Sequence, residues 1–224
     1  MAERKIDVLV VRWYERLPAA GIVGRWFDAA AGLLPEAVPV RFGESEPLRE
    51  RGGRAEVEAA WAGATSLLFL AGKAPVHHIS FGAGGGPRLG TVVAHSMQAE
   101  LDPGDERVRK FALAVAGADT FYVSVSTAGG LTLDRKTLWG PAERPEEPYL
   151  APLGQWLGLP PDPPVWCWFG PSYAKKTGTE VYAGDPWVPE RLQARLGEAD
   201  AARRTAAWMP RQLRTSPWRL LLGR

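Results

Sequence analysis

Three histidines, a single cysteine and a run of glycines are the side chains and backbone of this chain best suited to chemistry. On a strand, neighbouring side chains point to opposite faces, so at most one of His77 and His78 shares a face with a core-facing His95. A zinc or iron centre built on them would need carboxylates to complete its ligand set. No His-Glu-x-x-His spacing occurs. The histidines therefore read as structural or surface residues, and no metal is expected. Cys167 lies in Val165-Trp166-Cys167-Trp168-Phe169-Gly170. A catalytic thiolate needs a base and a positive environment. The flanking pattern reads instead as a buried strand carrying a small, inert thiol.

The stretch Phe81-Gly82-Ala83-Gly84-Gly85-Gly86 invites a phosphate-binding reading. A phosphate loop aims backbone N–H groups at an anion and usually opens a helix. Here the stretch runs from strand to strand, with no Gly-Lys-Ser/Thr after it, and reads as a hairpin loop. Gly-x-Ser-x-Gly is absent. Asp7, Asp102, Asp105 and Asp119 are dispersed and form no diagnostic carboxylate pair. No catalytic residue and no cofactor are assigned.

Binding surfaces offer more. Residues 201–224 hold six arginines and no acid, with Trp208 and Trp218 interleaved. Trp and Arg are enriched at interface hot spots. Trp139, Trp156, Trp187 and Trp218 sit beside Gly or Pro or in short elements, where a large side chain can remain exposed. Trp187, Arg211, Arg214 and Trp218 are the candidate partner-binding residues. The competing reading is a solvated helix face with its Trp residues packed inward.

The elements that must position these groups follow from pattern. The chain has 224 residues, 46% of them hydrophobic and 23% charged, enough for a sizeable core in one domain spanning 1–224. A net charge of +2 gives little steering toward nucleic acid or an anionic membrane. A lone cysteine, and apolar runs far shorter than a membrane span or a signal peptide needs, point to the cytoplasm.

Residues 6–11 read as a central strand. Ile22, Val23, Trp26, Phe27, Ala30, Leu33 and Leu34 fall at helical spacing. Residues 39–42 are extended. Residues 48–63 read as a helix weakened at Gly52 and Gly53. Strands follow at 67–70, 76–81 and 89–97, the last with a switch into helix before Leu101. Asp102 or Asp105 caps a helix carrying Val108, Phe111, Ala112 and Val115. Residues 121–126 alternate as a half-buried strand, and Gly129-Gly130 turns it into a second strand at 131–139.

Residues 141–148 read as a proline-rich surface loop. A short helix follows around Leu150, Leu153 and Leu157. Next come a strand at 165–169, a long helix from Pro186 toward Trp208, and an apolar tail. Adjacent strands without regular βαβ alternation argue for an α+β fold with a mixed or mainly antiparallel sheet and helices packed on one face.

Two segments carry a family resemblance. The first is Val40-Arg41-Phe42-Gly43-Glu44-Ser45-Glu46-Pro47-Leu48. The second is Gly158-Leu159-Pro160 with Trp166-Cys167-Trp168-Phe169-Gly170-Pro171-Ser172-Tyr173. The pair resembles bacterial immunity proteins of toxin–antitoxin and polymorphic toxin systems, in particular the Immunity protein 52 type and the type VI secretion immunity proteins. The resemblance implies an α+β, non-enzymatic protein that binds a cognate toxin, and assigns no functional residue. The expected function is therefore an immunity-like, protein-binding one. The alternative is a small hydrolase or transferase with a dispersed polar site near His78 or His95. A third reading is a structural or phage-derived accessory protein that binds acidic surfaces through its arginines.

Overall fold

Ile6, Val8, Val10 and Leu9, Val11, Trp13 alternate along one extended segment, so both faces of that segment are apolar. Such a strand belongs in the middle of a sheet. In the computed structural model, which describes residues 3–17, 21–83, 92–134, 137–140 and 166–169, it does. Strand β1 (Arg4–Arg16) lies between β5 (Val92–Ala99) and β6 (Thr120–Asp134). Beyond β5 follow β4 (Val76–Gly82), β3 (Leu67–Ala71) and the short β2 (Arg41–Gly43). On the other side β6 pairs both β7 (Thr137–Trp139) and β8 (Trp166–Phe169). Every pairing is antiparallel. The fold is α+β.

One face of the sheet packs against α1 (Ile22–Leu33), α2 (Arg54–Gly63) and α3 (Glu106–Val115). Helix α1 buries Ile22, Val23, Trp26, Ala29 and Ala30, and α3 buries Val108, Phe111, Ala112 and Val115. The centre of this core is aromatic. The Trp26 ring stands edge-on to Trp13, Phe81 and Phe111 at centroid distances of 5.4, 5.2 and 5.0 Å. Each indole N–H is satisfied by a backbone carbonyl: Trp13 donates to Ala112 at 2.8 Å and Trp26 to Ala37 at 2.9 Å. On the opposite face Ile6, Val8 and Val10 meet Leu131 and Leu133, with Leu138 against them.

Three elements depart from expectation, each for a local reason. Helix α2 begins at Arg54 rather than near 48. Gly53 is extended at its N-cap and its N–H donates to Glu56 Oε2 at 2.8 Å, so the two glycines lie outside the helix rather than weakening it. Strand β5 stays extended to Ala99, and helix waits for Glu106. Asp102 first accepts from Gly104 N–H at 2.7 Å, and Asp105 then caps α3 by accepting from Arg107 N–H at 2.9 Å.

The turn expected at Gly129-Gly130 is a bulge instead. Ile6 pairs Leu131 and Val8 pairs Ala128, so Gly129 and Gly130 together oppose Asp7. Gly130 takes φ +72°, and its N–H donates to Asp7 Oδ1 at 3.0 Å. The strand continues, and β7 is the true return strand. Among the described residues no helix is long and apolar enough to cross a membrane. The segments 141–148, 150–157 and 186–208, the apolar tail, and Trp187, Arg211, Arg214 and Trp218 lie outside the described residues.

Candidate functional site

Two polar constellations stand out, on opposite faces of the sheet. The first lies on the helical side. Glu15, near the end of β1, is 1% exposed, and His95 in β5 is fully buried. One Glu15 oxygen accepts from Arg25 Nη2 at 2.5 Å and from Thr120 Oγ1 at 2.5 Å. The other faces His95 Nε2 at 3.6 Å. Gly82 N–H donates to His95 Nδ1 at 3.1 Å, so the ring proton sits on Nε2, toward the carboxylate.

Gly82 is there for a steric reason. A Cβ at that position would stand 2.7 Å from the Ala94 carbonyl oxygen. Arg25 also donates its Nε to the Val115 carbonyl at the end of α3, at 2.8 Å, and Thr120 accepts from Gly117 N–H at 2.7 Å. Burial pushes the Glu15 carboxyl up, but the His95 ring, the Thr120 hydroxyl and the Arg25 charge outweigh it and hold the group below the usual carboxylate range. The cluster locks β1, β5, β6, α1 and α3 together. Glu15, His95 and Thr120 are sealed from solvent and only Arg25 reaches it, which makes this a structural network.

The second constellation opens to solvent. A groove of about 310 Å³ is lined by Glu46, Phe69, His78, Gln98 and Leu138. An adjoining compartment of about 140 Å³ shares Glu46 and His78 and adds Arg41, Pro47, Leu48, His77 and Thr137. The groove's walls come from five elements: the loop after β2, the neighbouring strands β3, β4 and β5, and β7 from the far end of the sheet. The sheet is curled enough to bring β7 against β4.

The histidine pair departs from simple alternation. A register shift between Val76 and His78 leaves His77 as the extra residue of a bulge. Both rings therefore border one compartment, and neither joins His95. His77 Nε2 lies 3.3 Å from Glu100, which Arg4 also holds in a two-pronged contact at 2.7 and 2.5 Å. His78 stacks obliquely on Phe69 with ring centroids 5.6 Å apart. Its Nδ1 is buried and has no hydrogen-bond partner. Burial pulls the His78 pKa below its ordinary value, against a weaker upward pull from Glu46. The ring is neutral at pH 7 and offers a lone pair as well as a proton.

The groove face continues as a polar row across the sheet. Ser80, Ser96, Arg12 and Ser124 stand in register from β4 to β6, and the Ser80 and Ser96 hydroxyls meet at 2.8 Å. The backbone of Cys167, in β8, is in register with Ser124. At the outer edge, directly after Leu138, Trp139 is 59% exposed. Among the described residues, no cluster of three His, Cys, Asp or Glu side chains could hold a metal ion.

Of the histidines weighed from sequence, the structure thus separates His95, sealed in the core, from His78, open to the groove. Glu46, Phe69, Gln98 and Leu138 were not singled out by sequence reasoning, although Glu46 falls inside the first resemblance segment. Nothing local distinguishes them, because only the curl of the sheet brings them together. No protein-family model, curated protein or solved structure matches this chain.

Proposed function

We propose that this is a non-enzymatic, cytoplasmic protein-binding protein of the immunity type, which masks a cognate toxin through the groove face of its sheet. The observation that carries this reading is Trp139, an indole 59% exposed on β7 at the position after Leu138, which lines a groove of mixed polar and apolar walls. Large aromatic side chains left in water are costly, and Trp is the residue most enriched at interface hot spots. The first resemblance segment supports the same surface: Glu46 of that segment borders the groove, and Val40, Arg41, Pro47 and Leu48 border the adjoining compartment. A partner covering about 800 Å² here would bury the indole together with the loop after β2.

The test is affinity capture from the native organism with the full chain and with Trp139→Ala in parallel. A single stoichiometric protein, encoded beside this chain and lost with the variant, supports the reading. Retention of a small molecule or metal, with no protein, overturns it.

A second reading is favoured by one feature. The neutral His78 ring, which lines the groove together with Glu46, has the makings of a general base in a small hydrolase or transferase. Turnover abolished by His78→Ala, in a protein that captures no partner, would favour that reading.

A further inference from the structure

Glu46, His78 and Gln98 bring three polar side chains to one opening. All three border the groove, and none of their side chains makes a hydrogen bond or ion pair with another described residue. Several other carboxylates of this fold are spent on cations and hydroxyls: Glu15 on Arg25 and Thr120, Glu100 on Arg4 and His77, Asp28 and Glu58 on Arg54. Half-buried polar groups such as His78 and Gln98 normally have partners, whereas Glu46 is exposed and free to meet a ligand from solvent. Two half-buried groups without partners, converging with an exposed carboxylate on one opening, describe a site complementary to something else.

The balance of donors and acceptors says what. The groove offers two carboxylate oxygens from Glu46 and the Gln98 carbonyl as acceptors, against the Gln98 amide as donor, and the His78 ring adds one or the other according to its tautomer. The surplus is in acceptors, and the carboxylate leaves a negative charge that the neutral ring does not cancel. Arg41 borders the adjoining compartment but forms no ion pair with Glu46. The loop carries further acid at Glu44 and Glu50, both exposed, with Arg49 between them. Phe69 and Leu138 supply apolar walls, suited to an aliphatic stem, and the Phe69 ring can face a cation.

We propose that the groove receives a basic side chain of the partner, an arginine guanidinium or lysine ammonium seated between Phe69 and Leu138, hydrogen-bonded to Glu46 and Gln98. The proposal rests on the reading of this face as the partner-binding surface. A carboxylate paired with a guanidinium makes the stronger, charge-assisted class of hydrogen bond and fixes orientation as well.

The experiment uses the full chain and three probes followed by heteronuclear NMR: the capped tripeptide acetyl-Gly-Arg-Gly-amide, the same peptide with uncharged citrulline in place of arginine, and n-butylguanidinium. The arginine peptide should perturb the His78 ring and the Gln98 side-chain amide. Its Kd should be at least about tenfold lower than that of the citrulline peptide, and Glu46→Gln should abolish that difference. Glu46 is exposed, so the variant keeps its fold. Equal binding of the two peptides, or indifference to Glu46→Gln, overturns the proposal. Butylguanidinium binding as tightly as the tripeptide overturns the assignment to a protein side chain in favour of a free small cation. A partner captured through Trp139 whose affinity ignores Glu46→Gln refutes this inference while leaving the binding function standing.

Discussion

Replacing Glu15 with Gln should be the most damaging isosteric change on the polar side of the fold. The Glu15 carboxylate is 1% exposed, so water cannot take over its partners. It accepts from Arg25 and Thr120 at 2.5 Å each and faces the His95 Nε2–H. A glutamine has one acceptor oxygen and one amide donor. Whichever way it turns, the NH2 meets a donor, either His95 on one side or Arg25 and Thr120 on the other. Breaking a buried pair by removing one charge costs about 3–5 kcal/mol. Arg25 keeps 25% of its side chain in solvent and retains its bond to the Val115 carbonyl, so the lower end applies, about 3 kcal/mol.

The assay is urea denaturation, where a loss of that size lowers the midpoint by ~1–2 M. The pH dependence gives a second reading of the same group. The folded Glu15 carboxyl lies below its ordinary value of 4.5, so its contribution is present above that pH and is lost as pH falls through the folded value. Glu15→Gln should remove that acid-side slope. A loss under about 1 kcal/mol, with the slope unchanged, would refute the view that this network holds the sheet to its helices.

Three further outcomes follow from the same geometry. Trp26→Ala removes the ring packed against Trp13, Phe81 and Phe111 and orphans the Ala37 carbonyl; it should cost about 3–5 kcal/mol in the same denaturation assay. Asp105→Ala removes the cap of α3 and should cost about 1 kcal/mol, with Asp102→Ala costing less because its side chain serves only the turn. Burial lowers the His78 pKa below 6.5, so the unfolded chain takes up that proton first; stability should be full above pH 6.5 and fall as pH drops through it, and His78→Gln should flatten that step when melting temperature is followed against pH.

Strong periodicity was readable from the residues alone. The spacing of Ile22, Val23, Trp26 and Ala30 specifies α1, and that of Val108, Phe111, Ala112 and Val115 specifies α3, because each repeat presents one apolar stripe to a single core. The two-sided apolar run of β1 marks a central strand for the same reason. Glycine pairs were harder. Gly52-Gly53 precedes a helix and Gly129-Gly130 forms a bulge, and both differ from the nearest pattern-based reading because glycine permits several backbones and only tertiary context chooses one. The groove was hardest. Glu46, Phe69, His78, Gln98 and Leu138 are far apart in sequence and meet only because the sheet curls β7 toward β4. The bulge at His77, which puts both histidines on one compartment, leaves no mark in the sequence.

The central claim is that the groove face, anchored by Trp139, is where a partner protein binds. The most direct measurement is a solution titration of the captured partner against the unmodified chain and against Trp139→Ala. A hot-spot indole predicts a loss of at least about 2 kcal/mol, roughly a thirtyfold rise in Kd, with the urea midpoint of the free protein unchanged because the side chain is already exposed. An unchanged Kd would place the recognition surface elsewhere and contradict the account.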